Sequence, residues 1–129
     1  DLLLHLPSMS LISEPYLIIF FNLSDVEAAN LKKGIFFNPD PYIKMVVHPG
    51  RSSAQLPHHS KPVRTTIESN TTNPRWEGQV FTLDAIATDT IEFEVKDKFA
   101  KSRPTIIRFL GRAEVSVQRI IDKVNAACG

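Results

Sequence analysis

Between residues 90 and 96 apolar and charged side chains take strict turns, Ile91, Phe93 and Val95 against Glu92, Glu94 and Lys96. A half-buried β-strand, whose side chains project alternately to its two faces, is the element that such a period suits. The same period recurs at 42–48, where Tyr42, Lys44, Val46 and His48 alternate with Ile43, Met45 and Val47. Residues 16–25 are dominated by the β-formers Tyr-Leu-Ile-Ile-Phe-Phe, with Leu17, Ile19, Phe21 and Leu23 on one face and Ile18, Phe20, Asn22 and Ser24 on the other. Further strands are predicted over 63–69, 79–83 and 109–115, and a short edge strand over 2–6 ends at Pro7, which has no N–H to give to a ladder. Asn38-Pro39-Asp40-Pro41 and Asn70-Thr71-Thr72-Asn73-Pro74 are turn chemistry, because proline fixes φ and Asn or Asp side chains cap nearby backbone. Residues 49–62, rich in Gly, Ser, Pro and His, form a long exposed loop. Val117, Ile120, Ile121 and Val124 have the spacing of one short helix. Many short strands and a single C-terminal helix predict an all-β chain: an antiparallel two-sheet β-sandwich of roughly seven or eight strands.

A chain of 129 residues with 43% hydrophobic and 22% charged residues carries one core and is not disordered. A net charge of +1 gives no global field that would single out nucleic acid, so electrostatic function must come from local clusters. Cys128 is the only cysteine, which excludes a disulfide framework and cysteine-rich zinc sites and suits a reducing, intracellular compartment. The apolar stretch 2–23 is interrupted by His5, Pro7, Ser8, Ser10, Ser13, Glu14 and Pro15. It falls short of the ~20 apolar residues a spanning helix needs and reads as strand material.

Sandwich loops gather at the two ends, so loops 34–40, 69–77 and 97–108 are expected to build one site. Two apolar runs lie in them, Ile35-Phe36-Phe37 and Ile106, Ile107 and Phe109. Between these runs stand Lys98, Lys101, Arg103 and Arg108 against the single carboxylate of Asp97. An apolar wedge ringed by cations is a docking surface, and beside an anionic leaflet each cation contributes about 1 kcal/mol. Lys61 and Arg64, with Lys44 and Arg75 as further candidates, suggest a second basic site. Trp76, following Asn73-Pro74, reads as a structural anchor, and His48, His58 and His59 as solvated loop residues. The chain has no glycine-rich phosphate loop, no Gly-x-Ser-x-Gly and no nucleophile with a well-spaced base, so it is expected to be non-catalytic.

Five motifs carry a resemblance: Asn30-Leu31-Lys32-Lys33-Gly34, Pro39-Asp40-Pro41-Tyr42-Ile43-Lys44, Thr72-Asn73-Pro74-Arg75-Trp76, Glu94-Val95-Lys96-Asp97 and Phe109-Leu110-Gly111. Their order and spacing resemble C2 domains. The run from Lys96 to Pro104 with Arg108-Phe109-Leu110-Gly111 is similar to the HECW branch of HECT-type ubiquitin ligases. The resemblance implies a single C2-like domain over 1–129, with an N-terminal edge strand and linker at 1–15, core homology at 16–123 and a tail at 124–129. Such ligase domains continue for two more strands; residues 2–6 replace one of them, and the sandwich is expected to keep an open edge.

Family members that bind Ca²⁺ use about five acidic side chains, because a hard dication takes 6 to 8 oxygens. Asp40 and Asp97 align with such ligands, but Gly34, Phe99 and Arg108 stand where the other acids would be. The metal site is therefore expected to be incomplete, and no cofactor is required. Related domains carry a lysine-rich phosphoinositide cluster on the strands that hold Lys61 and Arg64. The implied function is a non-catalytic, membrane-targeting C2 module of a ubiquitin ligase in the ubiquitin conjugation pathway. Its expected partner is an anionic phospholipid surface, bound largely without Ca²⁺ through Phe36, Phe37, Lys98, Lys101, Arg103, Ile106, Ile107, Arg108, Lys61 and Arg64. The expected location is cytoplasmic with peripheral membrane association. The alternative is a protein-interaction or autoinhibitory module that docks on an adaptor, a substrate protein or the ligase's own catalytic domain.

Overall fold

A computed structural model describes residues 3–5, 8–13, 19–34, 37–50, 61–98 and 107–128, and side chains from Ser24 onward apart from the end of the C-terminal helix. The strands are β1 (Leu3–His5), β2 (Ser8–Ser13), β3 (Ile19–Ala29), β4 (Pro41–His48), β5 (Val63–Arg64), β6 (Arg75–Ala85), β7 (Thr90–Asp97) and β8 (Arg108–Ser116), followed by helix α1 (Val117–Cys128). All described pairings are antiparallel and form two sheets. The first holds β3 between β6 on one edge and β1 and β2, laid end to end, on the other. The second runs β5-β4-β7-β8. The two-sheet sandwich with one helix is the architecture that the alternation predicts.

Alternation becomes layering directly. In β7, Ile91, Phe93 and Val95 are buried while Glu92, Glu94 and Lys96 are not, and Ile43, Met45 and Val47 of β4 lie opposite them in the ladder. From the other sheet Val26 and Ala28 of β3 and Trp76, Phe81, Leu83 and Ala85 of β6 complete the core. Each fully buried large apolar side chain contributes about 1.5–3 kcal/mol. The ladder between β3 and β6 slips at Asp25, which adopts φ 54° opposite Gly78 at φ 74°, and the Gly78 N–H donates to Asp25 Oδ1 at 3.2 Å. This β-bulge bends the longest pair of strands in the described structure.

Residues 8–13, within the stretch read as strand material, pair with β3 as β2. Two expectations need correction. The strand expected over 63–69 ends at Arg64: the Thr65 N–H still donates to Ile43 O at 2.9 Å, but the return bond from the Ile43 N–H goes to the Thr65 hydroxyl at 3.0 Å. Residues 75–77, expected in a loop, open β6. The alternation expected at 16–23 concerns side chains outside the described set, as do His58 and His59.

The end of the sandwich opposite the candidate loops is tied by Asp89, which is 1% exposed. Its Oδ1 accepts the Gly50 N–H at 3.0 Å, its Oδ2 accepts the Ile86 N–H at 3.0 Å, and its carbonyl accepts the Val117 N–H at 2.9 Å. Helix α1 begins there with Ser116 as its cap, the hydroxyl accepting the Arg119 N–H at 3.2 Å. Val117 and Ile120 are buried on the sandwich and Ile121 packs against them.

Candidate functional site

Three connections meet at the end of the sandwich where β3 and β7 finish and β4, β6 and β8 start. Leaving β3, the chain turns at Asn30, held at φ 58°, and the N–H groups of Asn30 and Leu31 donate to Asn73 Oδ1 and Thr72 O, both at 3.0 Å. The 65–74 connection is thereby sewn to the 30–40 connection, and the Thr71 N–H adds a bond to Pro39 O at 3.0 Å. Trp76 fastens the same connection from beneath: its ring is fully buried and its indole N–H donates to Thr66 O at 2.7 Å. An indole buried in this way is an anchor and presents no face to a ligand.

The two aspartates that align with metal ligands bind protein groups here. Asp40 Oδ1 accepts the Asn70 N–H at 2.8 Å. Asp97, 2% exposed, accepts the Asp40 N–H on Oδ1 at 2.8 Å and Arg108 Nη2 on Oδ2 at 3.1 Å. The same Nη2 donates to Lys32 O at 3.3 Å, so one guanidinium joins the connection after β3 to the strand end of β7. Lys98 completes the seam with its N–H on Asp40 O at 3.2 Å. Both oxygens of Asp97 accept protein donors and a guanidinium stands against one of them, and the two carboxylates are few for an ion that takes 6 to 8 oxygens. Among the described residues no cluster of three or more His, Cys, Asp or Glu side chains has a metal-binding arrangement.

Around this centre the surface is apolar and basic. Phe37 is 79% exposed, Ile107 52% and Phe109 56%. A Cβ on Gly34 would lie 3.1 Å from Phe37 O and 3.8 Å from Arg108 Nη2, so the connection after β3 runs close against the start of β8. Lys32 and Lys33 are exposed in the same connection, and Lys96 stands opposite Phe109 in the ladder. The sequence expectation passed over Lys32 and Lys33, although a lysine pair directly after a strand and before a glycine was a visible signal. Phe36, Lys101, Arg103 and Ile106, like Ile35 and Phe99, lie outside the described residues. Arg108, expected among the lipid-binding residues, pairs with Asp97 and keeps 34% of its side chain exposed.

The second basic group is partly assembled. Lys44 and Arg64 are direct cross-strand partners, and Lys61 is exposed just ahead of β5. Arg64 lies over the Tyr42 ring, 4.6 Å from its centroid, while Glu94 stands on the other side of Lys44. Arg75 does not join them: it sits in the other sheet and pairs with Glu27 at 3.3 Å. His48 ends β4, as the alternation over 42–48 predicts, and although exposed it is not free in solvent, since its Nε2–H donates to Glu92 Oε1 at 3.0 Å. Glu92 also pairs with Arg112 Nε at 3.0 Å, and Arg112 in turn with Glu114. The His48 hydrogen bond, helped by Arg112 and opposed by burial, holds the Glu92 carboxyl below the usual glutamate range.

Comparison with known proteins places this geometry. The C2 domain family pattern matches residues 20–127. The chain is 52% identical over 108 residues to the mouse E3 ubiquitin-protein ligase HECW1 and 51% identical over 108 residues to human HECW2. Each match covers 82% of this chain, which spans 7% of the length of these relatives. Among solved structures, human GIVD cytosolic phospholipase A2 superposes with a TM-score of 0.61 at 16% identity, over 82% of this chain and 13% of that one. The paired C2 domains of Extended-Synaptotagmin 2 give a TM-score of 0.60 at 16% identity, over 92% of this chain and 38% of that one. A family pattern across most of the chain, half identity to the two ligases, and the loop-bearing sandwich itself agree that this chain belongs to the C2 domain family.

Proposed function

We propose that this chain is the non-catalytic C2 module of a HECW-type ubiquitin ligase, and that it brings the ligase to anionic phospholipid without calcium as a bridge. The observation that carries the reading is the exposure of Phe37 in the connection after β3 and of Ile107 and Phe109 at the start of β8, with Lys32 and Lys33 exposed in the first of these segments. An apolar side chain that leaves water for the acyl boundary gains about 1.5–3 kcal/mol at full burial. Each lysine near an anionic leaflet adds about 1 kcal/mol. A few of each give reversible, peripheral attachment at a cytoplasmic membrane surface. Lys44, Lys61 and Arg64 form a second basic group for a phosphorylated headgroup, with Arg64 partly engaged by Tyr42.

The test is sedimentation with vesicles of phosphatidylcholine containing phosphatidylserine, in chelator and in calcium. Equal binding in both is expected, together with weakening as salt rises. Phe37→Ser with Phe109→Ser is expected to lower vesicle affinity by at least about tenfold, since 1.4 kcal/mol is a factor of ten. Binding that needs calcium, or a double variant that binds vesicles like the parent chain, refutes the reading. A parent chain that binds neither set of vesicles favours a protein partner instead.

A further inference from the structure

We propose that Arg108 is a resident cation, a guanidinium that takes the place of a divalent ion among the loops and excludes one. Its Nη2 bridges Asp97 Oδ2 at 3.1 Å and Lys32 O at 3.3 Å, a carboxylate and a backbone carbonyl from two connections. Those are the oxygen types a hard dication collects. Asp97 is buried, so the fold requires a compensating positive charge beside it. A guanidinium supplies that charge at any calcium concentration. Gly34 leaves the space clear, because a larger side chain would press on Phe37 O and approach the Arg108 head. The loop end is thus assembled in advance, whereas a metal-bridged end is complete only with its ion.

Removing the guanidinium frees Asp97 Oδ2 and Lys32 O while Asp40 remains next to them. The ligand class that fits the gap is a divalent cation, held weakly, on the order of 10⁻³ M, because few carboxylates contribute. The experiment is a thermal melt of this chain, without lipid, in chelator and across a calcium series. The parent chain is expected to melt at one temperature throughout. Arg108→Ala is expected to melt lower in chelator and to climb with calcium, as an ion binding only the native state demands. Arg108→Lys, which keeps a cation, is expected to stay blind to calcium. If Arg108→Ala is unfolded in chelator, circular dichroism asks whether calcium restores the fold, and recovery supports the proposal. An alanine variant unaffected by millimolar calcium, folded or not, overturns it, and so does a parent chain that calcium stabilises. Because no membrane is present, this result stands apart from any failure of vesicle binding.

Discussion

Gly50 tolerates no methyl group: a Cβ there would come within 2.1 Å of Thr88 O, a backbone atom that cannot swing away. Its N–H is one of the donors that keep the buried Asp89 carboxylate satisfied. Gly50→Ala therefore forces the two segments apart, and a loss of about 1–3 kcal/mol, the usual range for overpacking, is expected in urea denaturation. At this scale the sequence was informative where one side chain speaks for itself. A tryptophan directly after an Asn-Pro turn reads as an anchor, and Asp40 and Asp97 were marked out by their place in the motifs. It was silent on direction. Nothing in the run from Lys98 to Arg108 distinguishes a cation folded back onto Asp97 from one facing outward, because that choice depends on a carboxylate and a carbonyl distant in sequence.

Among the elements, β7 was legible because half-burial writes itself into a period of two, and α1 because Val117, Ile120 and Ile121 share one face. The shortness of β5 was not, since Thr65 looks like strand but uses its hydroxyl on Ile43. Backbone pairing can be displaced by a side chain of the same residue, and propensity does not register that competition. The helix has an N-cap in Ser116, whose hydroxyl satisfies one of the N–H groups that the first turn leaves without a helical acceptor. Ser116→Ala is expected to cost about 1 kcal/mol, read as a lower denaturation midpoint at unchanged slope. Ser116→Asp, which restores an acceptor, is expected to recover most of it.

Across the whole molecule, the outer face of the second sheet is joined by a charge network in which Glu92 of β7 holds His48 of β4 and Arg112 of β8. Since folding lowers the Glu92 pKa, its contribution to stability is complete above the pKa of the unfolded chain's glutamate and fades as pH falls through the lower folded value. An acid titration followed by circular dichroism is expected to show Glu92→Gln losing less stability than the parent chain over that interval. The layered architecture and the gathering of loops at one end followed from alternation and turn chemistry alone. The internal balance of that end did not, because it is a property of three distant segments meeting. Lys98 and Arg108 are both fastened to this junction, one through its N–H on Asp40 O and the other through its guanidinium on Asp97. Loss of the Arg108 guanidinium therefore releases the end of β7 and the connection after β3 together, since one nitrogen holds a group of each.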